Sequence, residues 1–256
     1  MACEKGFHLR CGFNRRANLS ILACLACFGL SLSCTTVNTV KSDYSVQEKT
    51  LALAEGTLRY TLALPPSLST EHAYPLILAL HYGGQVTPYF SQPYLMNLVL
   101  PALHDLGAIM AAPDCPGAGW TDPQSENAVL ALIARVEKDF PVDPQRVLLT
   151  GYSLGAAGTW DLVFKHPAMF SAAIPISGLP PKGVAVIMTK TPFWVIHGRD
   201  DELIAFNSVR AFVQSCQTQG LTVQLHSVLG FSHYDFAKFT PALREAVPWV
   251  KSLWQR

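Results

Sequence analysis

Gly151-Tyr152-Ser153-Leu154-Gly155 is the stretch on which the reading of this chain turns. It lies between a strand-like apolar run, Arg146-Val147-Leu148-Leu149-Thr150, and a helix-like run from Ala156 to Lys165. G-x-S-x-G between a strand and a helix predicts a serine held in a strained turn, with its hydroxyl lifted clear of the sheet. The glycines are needed because side chains there would collide with neighbouring backbone. The helix that follows points its N-terminus at the serine, where developing negative charge is favoured. Taken alone, the pentapeptide fits an ordinary glycine turn; the flanking strand and helix point instead to a nucleophilic Ser153.

The same strand–helix alternation extends in both directions. Thr50–Ala54 and Thr57–Leu64 read as a hairpin about Glu55-Gly56, with Leu58, Tyr60, Leu62 and Leu64 alternating along the second arm. Pro75–Leu80 is a continuous apolar run, as expected of a strand covered on both faces. Further strands are expected at Gly107–Ala112, Ser171–Ile176, Pro192–His197 and Leu221–Leu229. Helices are expected at Tyr94–Leu106, Ser125–Phe140, Phe206–Gln217 and Pro241–Trp254; the start of the second is poorly marked, since Ser125 lacks a capping-box acid. The alternation predicts an α/β fold, a mainly parallel sheet with helices on both faces and ligands bound at the C-terminal ends of the strands. No long insertion separates the strands, so no large lid domain is expected.

A serine is inert at neutral pH without a base, and the base needs an orienting acid. Four histidines follow Ser153. His166 precedes a proline at a helix end and reads as a cap; His197 closes a strand before Gly198 and reads as a turn-holder; His226 lies inside a strand pattern. His233 sits in a loop just past the last strand, where a general base is required. Asp200 and Asp201 both follow the strand ending at His197, and either could orient that imidazole, whereas Asp161 and Asp235 read as solvated or capping groups. The oxyanion of such a reaction needs backbone N–H donors. Leu154, next to the nucleophile, would supply one, and the glycine-containing loop His81-Tyr82-Gly83-Gly84-Gln85 the other.

The N-terminus is of a different kind. Lys5, Arg10, Arg15 and Arg16 stand against Glu4, an almost wholly apolar run follows from Leu19 to Leu32, and Ser31-Leu32-Ser33 offers a small-x-small cleavage site. Residues 1–33 thus read as a secretory signal, its core too short for a comfortable span; an uncleaved N-terminal anchor is the rival reading. Cys34, directly after the site, resembles the lipidated cysteine of bacterial lipoproteins, although Ser31 stands where leucine is usual. A lipid there would hold the chain at a cell-envelope membrane, with 34–49 as a polar tether; without it the chain would be periplasmic or extracellular. Removing four positive charges and one negative takes the formal net charge from +1 to −2, which argues against a nucleic-acid partner. The roughly 220 residues that remain suit one sizeable core, so 50–256 is read as a single domain. Cys115 and Cys216 read as buried free thiols, and no metal-ligand spacing is present.

Together these residues resemble the α/β-hydrolase superfamily, and within it the secreted carboxylesterases grouped with predicted peptidases, feruloyl esterases and polyhydroxybutyrate depolymerases. The stretches that carry the resemblance are Leu80-His81-Tyr82-Gly83-Gly84-Gln85, Ala112-Pro113-Asp114, Val142–Val147, Gly151–Gly155 with Gly158-Thr159-Trp160, His166-Pro167 with Phe170, Ile174–Gly178, His197–Asp201 and Gly230–His233. It spans about Pro75 to Trp254 and is specific for fold and triad, far less so for substrate. It implies Asp201 rather than Asp200 as the acid, through the pattern H-G-x-x-D, and Gly83 as the second oxyanion donor. Tyr82, where glycine is usual, and Ala156, in place of a second glycine, depart from the family pattern. The expectation is therefore a serine hydrolase of small or polymeric carboxylic esters, with triad Ser153, His233 and Asp201, oxyanion donors Leu154 and Gly83, and no cofactor. A serine peptidase on the same fold, and a catalytically idle surface-anchored binding protein, are the alternatives; oligomeric state is left open.

Overall fold

The computed structural model describes residues 43–180 and 189–255, which lie in one compact unit running from Val40 to Arg256. The expected signal segment, Cys34 and most of the expected tether fall outside the described residues. Eight strands form one sheet in the order β1-β2-β4-β3-β5-β6-β7-β8. They are β1 (Ser45–Leu53), β2 (Gly56–Leu64), β3 (Tyr74–Leu80), β4 (Ile109–Pro113), β5 (Val142–Tyr152), β6 (Ala172–Ile176), β7 (Phe193–Gly198) and β8 (Val223–Val228). β2 runs antiparallel to both neighbours, β1 and β4, and every other pairing is parallel.

Strand β3 shows why the sheet is central. All seven of its residues are buried. Leu76, Leu78 and Leu80 enter one apolar core, with α3 (Pro123–Asp139), α4 (Leu154–Lys165) and α5 (Phe206–Thr218). Ile77 and Ala79 enter the opposite core, with the helical segment 92–106, α6 (Thr240–Arg244) and α7 (Val247–Trp254). Strand geometry sends successive side chains to opposite faces, so a run without polar residues needs cover on both. Each fully buried leucine contributes about 1.5–3 kcal/mol of transfer free energy.

The expected strands are all present, with ends displaced by a residue or two in most cases, and the differences have local causes. β1 begins at Ser45, so the tether expected to run to Lys49 instead supplies the first residues of an edge strand paired with β2. The helix expected at Tyr94–Leu106 is broken into α1 (Gln92–Tyr94), a π-helical turn at Leu95–Val99, α2 (Leu100–Leu103) and a 3₁₀ turn at His104–Leu106. Pro101 has no N–H to give the Asn97 carbonyl, so the regular α-helical ladder cannot run through it. α3 starts at Pro123 rather than Ser125, because the Asp122 side chain caps it by accepting from the Gln124 N–H at 2.8 Å. The helix expected at Pro241–Trp254 divides into α6 and α7, since Pro248 cannot donate back to Arg244.

The chain leaves β3 toward β4 and then crosses back to β5, so the order of connection reverses between β3 and β5. A crevice at the C-terminal ends of the strands forms at such a reversal. The loops after β3, β5, β7 and β8 converge there. β6 and β7 are joined by residues 177–192, too short a stretch for a folded lid domain.

Candidate active site

The turn after β5 has the strained geometry that the pentapeptide demands. Ser153 has φ 54° and ψ −112°, outside the ordinary regions for a residue with a Cβ. The conformation is held from several sides. The Ser153 N–H donates to the Ile176 carbonyl at 2.9 Å, and the Ser153 carbonyl accepts the first bonds of α4 from the N–H groups of Ala156 and Ala157. A Cβ on Gly155 would stand 1.9 Å from the Leu80 carbonyl oxygen, and one on Gly151 would stand 2.2 Å from the Gly155 carbonyl oxygen. Both positions therefore exclude every other residue, and the elbow is packed directly on the end of β3.

The loop after β8 brings His233 to the serine. Its Nε2 lies 2.7 Å from Ser153 Oγ, and its Nδ1 lies 2.8 Å from Asp201 Oδ2. A carboxylate only accepts, so the Nδ1 proton points to Asp201 and the Nε2 lone pair faces the serine hydroxyl. Asp201 Oδ1 also accepts from the N–H groups of Leu203 and Ile204, at 3.1 and 2.8 Å. Burial pushes the Asp201 carboxyl up, but the His233 hydrogen bond, the Ile204 N–H and the neighbouring His233 and His197 rings outweigh it and hold it below the usual carboxylate range. The acid of this site is thus ionised while its side chain is nearly wholly enclosed. Asp200, the other candidate, turns away: its exposed carboxylate accepts from the Gly230 N–H at 2.6 Å.

The two expected oxyanion donors are neighbours. Leu154 is the first residue of α4, where an N–H has no acceptor within the helix. A Cβ on Gly83 would touch the Leu154 side chain at 3.6 Å, and Gly83 and Ser153 line the same cavity. The loop carrying Gly83 is anchored by His81, which sequence reading left without a role. His81 Nε2 accepts from the Cys115 N–H at 3.0 Å, so Nδ1 carries the proton and donates to the Tyr82 carbonyl at 2.6 Å. Trp120 donates to the His81 carbonyl at 2.8 Å. Burial pushes the His81 imidazole below its usual range, consistent with a neutral ring used as a fixed connector.

The remaining candidates fall outside the reacting cluster. His197 donates from Nε2 to the Ile204 carbonyl at 2.8 Å and so holds the loop that bears the acid. His166 caps α4 and reaches Glu126 at 2.8 Å. His226 stacks on Trp194 with centroids 3.5 Å apart. Asp235 accepts from the Ser232 N–H at 3.1 Å and pairs with Lys238 at 3.0 Å. Asp161 is not a solvated group: it is buried within α4 and paired with Lys165 at 2.8 Å. Cys115 and Cys216 are both buried and unpaired. Among the described residues no cluster of His, Cys, Asp or Glu could hold a metal ion, and no helix is long and apolar enough to cross a membrane.

A cavity of about 380 Å³ opens at Ser153 and His233. Tyr82, Tyr152 and Phe236 give it an aromatic wall, and Leu203 and Tyr234 continue from its rim into solvent, 58% and 72% exposed. Tyr82, the departure from glycine, packs its ring 4.9 Å from that of Phe236 and so narrows the cavity on that side.

Sheet order, strained elbow and converging loops define an α/β-hydrolase. Residues 119–246 match the dienelactone hydrolase family, and the chain belongs to it. Among curated proteins it is similar to a probable feruloyl esterase C of Aspergillus clavatus, 27% identical over 65% of this chain. The chain spans 66% of that relative's length and 56% of a second probable feruloyl esterase C, from Aspergillus flavus. Among solved structures it is similar in fold to a thermostable esterase, with a TM-score of 0.70 and 24% identity over 81% of this chain and 62% of that one. A ferulic acid esterase superposes with a TM-score of 0.66 and 22% identity over 82% of this chain and 98% of its own.

Proposed function

We propose that this chain is a serine hydrolase of carboxylic esters, with Ser153 as nucleophile, His233 as base and Asp201 as orienting acid. The observation that carries the reading is the unbroken hydrogen-bond chain from Asp201 through both nitrogens of His233 to Ser153 Oγ. Ser153 Oγ attacks the ester carbonyl as its proton passes to His233 Nε2. Negative charge gathers on the carbonyl oxygen, which the N–H groups of Leu154 and Gly83 receive. Collapse breaks the C–O bond, and His233 returns the proton to the departing alcohol. Water, deprotonated by the same imidazole, then cleaves the acyl-enzyme and frees the acid and Ser153. Asp201 holds the ring in the required tautomer and stabilises the imidazolium without taking the proton.

The aromatic wall of the cavity favours a flat, apolar group beside the scissile carbonyl. Feruloyl esterase relatives support an ester of an aromatic acid as the substrate class. Ser153→Ala should lower hydrolysis of p-nitrophenyl and aryl-acid esters by about 10⁴-fold or more and abolish labelling by a fluorophosphonate probe. Labelling that persists in that variant would remove the serine from the mechanism. Hydrolysis of peptides but not of esters would remove the ester reading.

A further inference from the structure

Three consecutive acids, Asp200, Asp201 and Glu202, leave the end of β7, and each reaches the loop that carries His233. Asp201 takes the imidazole, and Asp200 takes the Gly230 N–H at 2.6 Å. Glu202 makes two contacts: Oε1 accepts from the Ser232 hydroxyl at 2.6 Å, and Oε2 accepts from the backbone N–H of His233 itself at 2.9 Å. The Ser232 hydroxyl in turn accepts from the Tyr234 N–H at 3.2 Å. The loop is otherwise exposed at Leu229 and Tyr234, and no strand or helix continues through His233. The backbone of the base is therefore held at its own N–H by Glu202 and at its own carbonyl by the Tyr152 hydroxyl, 2.8 Å away.

Resting on the triad reading above, we infer that Glu202 is a positioning residue: it fixes the peptide plane of His233 so that Nε2 meets Ser153 Oγ. An imidazole swings on its Cα, so a backbone that drifts by a fraction of an ångström carries the ring out of line with both partners. Misplacement of about 1 Å costs on the order of 100-fold in rate for reactions that depend on alignment. The hydrogen bonds from Ser232 and His233 hold the Glu202 carboxyl below its usual range, so both acceptor oxygens are available at neutral pH. Glu202 touches neither substrate nor reacting atoms in this arrangement and acts only through His233.

The test compares wild type, Glu202→Ala, Glu202→Gln and Ser232→Ala on a soluble aryl ester, with fluorophosphonate labelling rates measured alongside. Glu202→Ala should lower kcat by about 10- to 100-fold with KM within about twofold, and slow labelling in proportion. Glu202→Gln keeps an oxygen for the His233 N–H and an amide for Ser232, and should recover kcat to within about threefold of wild type. Ser232→Ala removes one of the two contacts and should fall between. Wild-type kcat and labelling in Glu202→Ala would overturn the inference. So would Glu202→Gln as slow as Glu202→Ala, since charge rather than placement would then matter. A wild-type protein that neither turns over esters nor labels would sink the triad reading itself, a different failure from a clamp that proves unnecessary.

Discussion

At Ser153, Asp201 and His233 the proposed chemistry rests on which atom faces which. Asp200 and Asp201 are adjacent and alike, yet their carboxylates diverge by the ordinary geometry of consecutive residues: one accepts from the Gly230 N–H and the other from the imidazole. Asp201→Asn should therefore lower kcat by about 10⁴-fold, because an amide stabilises the wrong tautomer. Asp200→Asn should lower it by less than about tenfold. The ranking can be read from initial rates on one ester, and the reverse order would transfer the orienting role to Asp200. Much of this was legible in the sequence. The pentapeptide singles out Ser153, and the loop position beyond the last strand singles out His233, two side chains that the fold brings to 2.7 Å of one another. Residues alone left the choice of acid open between two neighbours, and it took the resemblance to select one. Glu202 and His81 were not legible, because their partners, His233 and Cys115, are brought near only by the folded sheet.

Single elements, not residues, govern the elbow. β3, β5 and α4 meet where Gly151 and Gly155 have no room for a side chain, and the obstructing atoms are backbone carbonyls that cannot rotate aside. Gly155→Ala should destabilise the fold by about 3 kcal/mol or more, as forced overpacking against a fixed element does. Ala157→Gly, two residues onward in the same helix at a half-buried position, should cost only about 1 kcal/mol. Urea titration of the two variants checks the contrast; equal midpoints would mean that the elbow relaxes freely. Element boundaries also show what pattern reading sees. Apolar strands such as β3 announce themselves because both faces are covered. The start of β1 does not, because an edge strand whose residues are all exposed or half-buried resembles a polar tether. The breaks at Pro101 and before Pro248 were missed because the apolar periodicity continues across them, although the prolines were in view.

For the whole molecule, three imidazoles bear on the expected response to acid. Burial pushes His81, His197 and His226 below the usual histidine range. Their folded-state values lie under the unfolded value of about 6.5, so the unfolded chain binds protons that the native state refuses. The stability this arrangement provides is complete above that pH and is lost as the pH falls below it. The midpoint of chemical denaturation should be lower at pH 5.5 than at pH 7.5. An unchanged midpoint would mean that these rings accept protons as readily inside the protein as outside. Further acidification, through the depressed ranges of Asp201 and Glu202, should remove more, because protonation there dismantles the contacts around His233.

The Tyr152 hydroxyl has a consequence of its own. Tyr152 immediately precedes Ser153, and its phenol donates to the carbonyl oxygen of His233. Oxygen and imidazole therefore do not ride on independent supports, for a rigid aromatic strut makes them passengers on one carriage. If the pair reacts as proposed, a substitution that shifts the Tyr152 ring would disturb both partners at once, and Tyr152→Phe is expected to lower kcat more than it lowers stability.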